Sequence, residues 1–214
     1  MAEDQAGLHA RRRVDRPQVA IFPCADPELI EAKEFHPELN VFRPPDRQHQ
    51  ALVGIARDPD GCVTVAVDGD TIVGYAAFHR PDPFERWGKD ETGGVYELGA
   101  VEVAPSYRGL GLAKRMLKAT FETGRFDDKL VLATLYYWHY DLERTGMTPF
   151  RYRDLLVRLY GSVGFEPTTT NDPDIFAYPE NALMVRVGPR TPEAVKASFE
   201  KLRFLADEGP WENF

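Results

Sequence analysis

At 214 residues the chain has the length of one domain with an added segment, and its 43% hydrophobic content supplies enough apolar surface for a core, which excludes a disordered chain. A formal charge of -8 and a pI near 5.2 exclude a broad phosphate-binding surface, so nucleic acid is not an expected partner. No stretch approaches the roughly 18–20 apolar residues that span a bilayer and no apolar leader opens the chain, so a soluble, cytoplasmic protein without a membrane partner is expected.

The short basic run Arg11-Arg12-Arg13 sits among acidic residues and reads as part of a solvated tail over residues 1–17. Residues 19–22 read as a strand and 27–33 as a helix, with Asp26 as N-cap and proline in the first turn. After the Pro44-Pro45-Asp46 break a second helix is expected over 47–56. The β-branched runs 63–67 and 71–78 flank Asp68-Gly69-Asp70, a hairpin signal, and predict adjacent antiparallel strands. Residues 80–94, rich in proline, glycine and charge, read as a long loop whose Phe84 and Trp87 offer aromatic surface to a partner.

Next come a strand over 95–103, a helix over 109–123 with Leu110, Ala113, Leu117 and Phe121 on one face, and a strand over 130–136. A helix over 149–163 follows, burying Leu155, Leu156 and Leu159 on one side. A strand over 183–187 and a closing helix over 192–205 complete the series, giving a mixed α/β fold. Cys24 and Cys62 have no CxxC spacing and no companions, so neither a disulfide framework nor a thiolate metal site is expected, and a reducing cytoplasm fits. The five histidines show no paired helical spacing, and no metal is expected.

The segment Val101 to Ala113 holds the most information: a strand, a proline stop, then a glycine-containing turn opening a helix. A helix N-terminus presents unpaired N–H groups and a partial positive charge, and Gly109, Gly111 and Ala113 let a pyrophosphate approach the backbone. Arg108 can add charge-assisted hydrogen bonds, and Lys114 a point charge. Two glycines alone serve a tight turn equally well. Neither GxxxxGK[ST] nor a GxGxxG following a strand is present, which removes the main signatures of P-loop and Rossmann nucleotide sites.

Arg108, Gly111 and Ala113, in the pattern Arg-x-x-Gly-x-Ala after a strand ending Val-Ala-Pro, resemble the acetyl-CoA motif of the GNAT acetyltransferases. The resemblance implies a central, mostly antiparallel sheet flanked by helices, and acetyl-CoA as co-substrate with no metal. It also implies a loop from Arg108 through Gly109, Leu110, Gly111, Leu112, Ala113 and Lys114 on the pyrophosphate, and backbone pairing of Val101 and Val103 with the pantetheine arm. On this reading residues 18–190 are the acetyltransferase domain and 191–214 a helical extension.

Glu97, eleven positions before Arg108, resembles the general-base glutamate of several members of the superfamily, and its neighbours Tyr96 and Leu98 would help desolvate it. An ordinary exposed strand carboxylate is the other reading. Glu102 lies an odd number of positions away, which on an unbulged strand points the two to opposite faces. Tyr160-Gly161-Ser162-Val163-Gly164-Phe165 is similar to the superfamily's Tyr-x-x-x-Gly-Phe, which implies Tyr160 as the acid for the departing thiolate; core packing explains such a tyrosine as well. Where the superfamily often has asparagine after its fifth strand, this chain has Tyr136-Tyr137-Trp138-His139-Tyr140-Asp141, and Tyr137, Trp138 and His139 are candidate acceptor contacts.

Blocks including Phe42-Arg43-Pro44-Pro45, Pro81-Asp82-Pro83-Phe84-Glu85-Arg86-Trp87, Glu97-Leu98-Gly99-Ala100 and Tyr136-Tyr137-Trp138-His139 look like the acetoin-utilisation protein A branch. That resemblance implies acetylation of a lysine of acetyl-CoA synthetase, switching it off. A small-amine acetyltransferase and an acetyl-CoA-sensing module that inhibits a partner without chemistry are the alternatives; the sequence leaves oligomeric state open.

Overall fold

The computed structural model describes residues 18–205. The expected tail and the end of the expected extension lie outside that range. The chain opens with β1 (Ala20–Phe22), α1 (Pro27–Ala32), a short β2 (Glu34–Phe35) and α2 (Pro45–Arg57). The hairpin β3 (Cys62–Asp68) and β4 (Thr71–His79) follows, turning at Gly69, whose φ of 59° suits glycine. Then come β5 (Val95–Val103), α3 (Leu112–Glu122), β6 (Leu130–Leu135), α4 (Leu142–Thr145) and α5 (Pro149–Gly161). β7 (Glu166–Thr168), α6 (Pro173–Phe176), β8 (Ala182–Val187) and α7 (Glu193–Arg203) complete the described chain.

The strands form one eight-stranded sheet in the order β1-β3-β4-β5-β6-β8-β7, with β2 beside β4. It is mostly antiparallel: only β2–β4 and β5–β6 run parallel. Met116, Leu117 and Phe121 of α3 pack on one face of the sheet with Phe78, Leu98 and Phe126. Leu52 and Val53 of α2 cover the other face above Val63, Val65 and Tyr75. Further along that second face, Trp87 stacks on Phe199 of α7, with ring centroids 5.6 Å apart, over Val95, Leu132 and Val185. Burial on this scale contributes about 1.5–3 kcal/mol per large apolar side chain.

Several expectations change. The helix after β5 begins at Leu112 rather than residue 109, because Gly109 and Gly111 hold left-handed φ values of 82° and 68° that a helix cannot continue through. Its buried face is Leu112, Met116, Leu117, Thr120 and Phe121, while Leu110 is exposed. The 80–94 segment contains a 3-10 turn, Arg86–Lys89, and it divides its aromatics: Phe84 is exposed but Trp87 is buried in the core. Leu156 and Leu159 pack against the core as expected and also line a cavity, whose wall includes the exposed Leu155.

A disulfide joins Cys24 and Cys62, with Cα atoms 4.9 Å apart, against the expectation from their spacing. The antiparallel pairing of β1 with β3, extended by the Ala25 N–H donating to the Val63 carbonyl, brings residues 38 positions apart side by side. No sequence motif marks such a pair, because the sheet edge creates the proximity.

Candidate active site

β5 and β6 pair only over Val95–Glu97 and Leu130–Leu132, after which the strands part. Residues 98–103 keep β4 on one side and have no strand partner on the other, while β6 turns wholly to β8. A cavity of about 330 Å3 fills the opening. Its walls are Leu98 to Val103 of β5, Thr134 to Tyr136 at the end of β6, Arg108 and Ala113 at the phosphate loop, and Leu155, Leu156, Leu159 and Tyr160 of α5. An extended ligand arm with amide groups can pair with that open edge as a strand would.

The turn before α3 carries the residues expected to meet a pyrophosphate. A Cβ placed on Gly109 or Gly111 would meet nothing within 4 Å, so the approach to the backbone is clear. Gly111 is the N-cap, and the N–H groups of the first turn of α3 face outward without a side-chain cap. Leu112 anchors the turn in the core, Ala113 lines the cavity, Leu110 and Lys114 are exposed, and Val101 and Val103 lie along the wall. Arg108 also reaches the cavity, where its guanidinium donates to the buried Asp141 at 2.5 Å; Asp141 in turn lies 3.6 Å from Arg144. Open loop, helix end and tethered arginine fit a diphosphate of coenzyme A type.

The carboxylates depart from the sequence-based picture. The β4–β5 register shifts between Ala77 and Phe78, which pair with Ala100 and Leu98 and leave Gly99 as the extra residue of a β-bulge. Tyr96, Leu98, Val101 and Val103 therefore share the α3 face, and Glu97 and Glu102 share the other, correcting the expectation that they point apart. Glu102 is satisfied structurally: it accepts from the Tyr75 hydroxyl at 2.7 Å and the Val41 N–H at 2.9 Å, holding the 36–44 segment against the sheet.

Glu97 is buried, at 9% exposure, and accepts from the Thr134 hydroxyl at 3.1 Å. Burial pushes its carboxyl above the ordinary range and the Glu85 charge adds to this, while His79 and the Thr134 bond oppose it. A carboxylate so placed is suited to accept a proton near neutrality. Glu85 is likewise raised, by its own partial burial and then by Asp82, with His79 opposing.

Glu97 is not itself in the cavity wall and meets it through Thr134, whereas Tyr160 lines the cavity, and burial, then Tyr152 and Tyr140, push its hydroxyl pKa well up, so it is held protonated. Tyr140 and Tyr152 stack at 4.8 Å and also face the cavity. Of the three candidate acceptor contacts, His139 reaches the cavity wall, edge-on to Phe42, and burial lowers its pKa. Trp138 stacks on Tyr136 at 4.7 Å outside the wall, and Tyr137 is tied by its N–H to Asn181. Sequence reasoning missed Val41, Tyr152 and Thr134, and it named Phe42 and Asp141 only within larger blocks, without a place in the cavity or beside Arg108. They come from segments far apart in the chain, and no short motif links them. Among the described residues no cluster of three or more His, Cys, Asp or Glu is arranged to hold a metal ion.

The profile of the Acetyltransferase (GNAT) family matches residues 27–137. The acetoin utilization protein AcuA of Bacillus subtilis strain 168 is 39% identical over 178 residues, 83% of this chain and 85% of that protein. The AcuA of Bacillus licheniformis is 36% identical over 203 residues, covering 94% and 97%. In three dimensions the crystal structure of an acetoin utilization protein from Exiguobacterium sibiricum superposes with a TM-score of 0.84 at 35% identity, covering 87% of this chain and 88% of that one.

Proposed function

The chain belongs to the GNAT family as an acetyl-CoA-dependent acetyltransferase of the AcuA type, and from that premise we propose that it acetylates a protein lysine, that of acetyl-CoA synthetase, and so inactivates it. The observation that carries the reaction is the buried Glu97 beside the open edge of β5. A lysine ε-ammonium must lose a proton before its nitrogen can attack a thioester. Glu97, directly or through water, takes that proton. The neutral amine then adds to the thioester carbon, the carbon–sulfur bond breaks, the Tyr160 hydroxyl donates to the departing thiolate, and the proton that the new amide nitrogen sheds returns, directly or through water, to the Tyr160 phenolate.

Binding falls to other residues. The β5 edge at Val101 and Val103 aligns the pantetheine arm, and its backbone donors polarise the thioester carbonyl. The first turn of α3 and Arg108 hold the pyrophosphate. Recognition of the synthetase is supported by the branch-type blocks around Phe42, Phe84 and Trp138, of which Phe84 is 95% and Trp138 46% exposed. Glu85, whose charge acts on Glu97, suits a cationic side chain approaching that carboxyl. We place the action in the cytoplasm, where the Cys24–Cys62 disulfide would be open to reduction.

Intact-mass measurement of purified acetyl-CoA synthetase after incubation with acetyl-CoA and this protein tests the reading. One added acetyl group on a single lysine, absent with Gly111→Trp, is the expected result. An unmodified synthetase together with rapid acetylation of small amines would replace it with a small-molecule acceptor, and binding of acetyl-CoA without any transfer would replace it with a sensor.

A further inference from the structure

His79 ends β4 directly opposite Glu97: the two are Cα partners in the antiparallel register and so lie on the same face of the sheet. Its ring Nδ1 lies 2.8 Å from the Arg80 carbonyl oxygen. A carbonyl only accepts, so Nδ1 carries the proton and Nε2 of the neutral ring bears the lone pair. The Nε2 atom leans diagonally across β5 onto the bulge, where a Cβ on Gly99 would come within 2.2 Å of it. Gly99 is also part of the cavity wall. The glycine at the bulge therefore leaves room for one specific group, a basic nitrogen at the edge of the reaction cavity, beside Glu97.

We propose that His79 is a positioning residue for Glu97, receiving on Nε2 the proton that Glu97 takes from the acceptor and releasing it to solvent beside Glu85. This rests on Glu97 being the base. In the step the carboxyl O–H bond of Glu97 breaks as its proton passes to a bridging water, that water gives a proton to Nε2, and the imidazolium then releases a proton to bulk water, so carboxylate, bridging water and neutral ring are all regenerated.

The surroundings favour this direction. On the 80–94 segment Glu85 acts on both His79 and Glu97, with Asp82 behind it. From the 170–176 segment Asp172 acts on Glu85, and Asp172 and Asp174 both act on Tyr136. From β6, Thr134 donates to Glu97. The adjacent cation, Arg80, is drawn away over the Tyr96 ring at 5.6 Å and toward Asp90 at 3.9 Å. A buried Glu97 with no outlet would retain its proton after each turnover, and the His79 ring is the basic group placed opposite it on β4.

The test is turnover of His79→Gln across pH, with and without added imidazole, alongside acetyl-CoA binding. The expected result is a fall of about 10-fold or more in kcat, with an unchanged KM for acetyl-CoA and recovery of turnover as imidazole is added. Unchanged turnover, or a loss that imidazole does not restore, overturns the proposal. Because a displaced ring should act like a removed one, Gly99→Ala provides the second variant: its loss should also be restored by imidazole, and a loss that is not restored counts against the proposal. Glu97→Gln separates the two levels. Full turnover in that variant removes the base itself, whereas a slow Glu97→Gln with an imidazole-insensitive His79→Gln removes only the relay.

Discussion

The proposed role of Glu97 as the base rests on where it is buried. Replacing it by glutamine removes the proton acceptor and preserves the shape, so kcat should fall by about 100-fold or more, with the KM for acetyl-CoA unchanged, in a steady-state assay. The wild-type rate should climb with pH as Glu97 deprotonates and level off above its pKa. Burial, and next the Glu85 charge, raise that pKa from 4.5, so removing the charge with Glu85→Gln should move the acid limb of the pH–rate curve to lower pH. A limb that stays in place would separate Glu85 from the base. Arg108 belongs to the other end of the cleft. Its loss forfeits charge-assisted bonds of about 1.5–3 kcal/mol, so Arg108→Ala should raise the KM for acetyl-CoA about 10-fold or more. It should also lower the melting temperature, because the buried Asp141 loses its 2.5 Å partner.

The elements that position these residues depend on local conformations that differ in how plainly the sequence shows them. The hairpin at Asp68-Gly69-Asp70 and the strand Val95–Val103 were legible, since turn chemistry and β-branched runs act locally. The strand–turn–helix over 95–122 was legible as a strand, a stop and small residues, although the left-handed Gly109 and Gly111 delay the helix start. The bulge at Gly99 was not legible. It follows from a register shift against β4, and it reverses the side on which Glu102 lies. The 80–94 segment was read as an exposed loop because its Pro, Gly and charge content is that of a loop. Trp87 nevertheless anchors it to Phe199 of α7, and the buried Asp90 fastens it by accepting from the Val95 N–H and the Ser198 hydroxyl. Trp87→Ala should therefore destabilise the protein by about 3–5 kcal/mol in denaturant unfolding. A change under 1 kcal/mol would show that the segment is not part of the core.

At the scale of the molecule, one sheet serves both substrates by coming apart. Pairing of β5 with β6 at Val95–Glu97 holds Glu97, the proposed base, in a buried setting, and their separation beyond it opens the 330 Å3 cleft. The phosphate turn lies at the far end of the same strand, so a single element measures the distance from pyrophosphate to reacting carbon. The Asp141–Arg108 tether and the Phe42–His139 contact close the cleft from segments that the sequence motif does not include. That is why the donor was readable from residues 101–113 and the acceptor side was not. A crystal structure with acetyl-CoA bound tests the account most directly. The account predicts the pyrophosphate on the N–H groups from Gly109 to Ala113, the pantetheine arm paired with Val101 and Val103, and the thioester at the Gly99 bulge with the Glu97 carboxylate on its acceptor side. A pyrophosphate seated elsewhere, or a thioester turned away from Glu97, would contradict it.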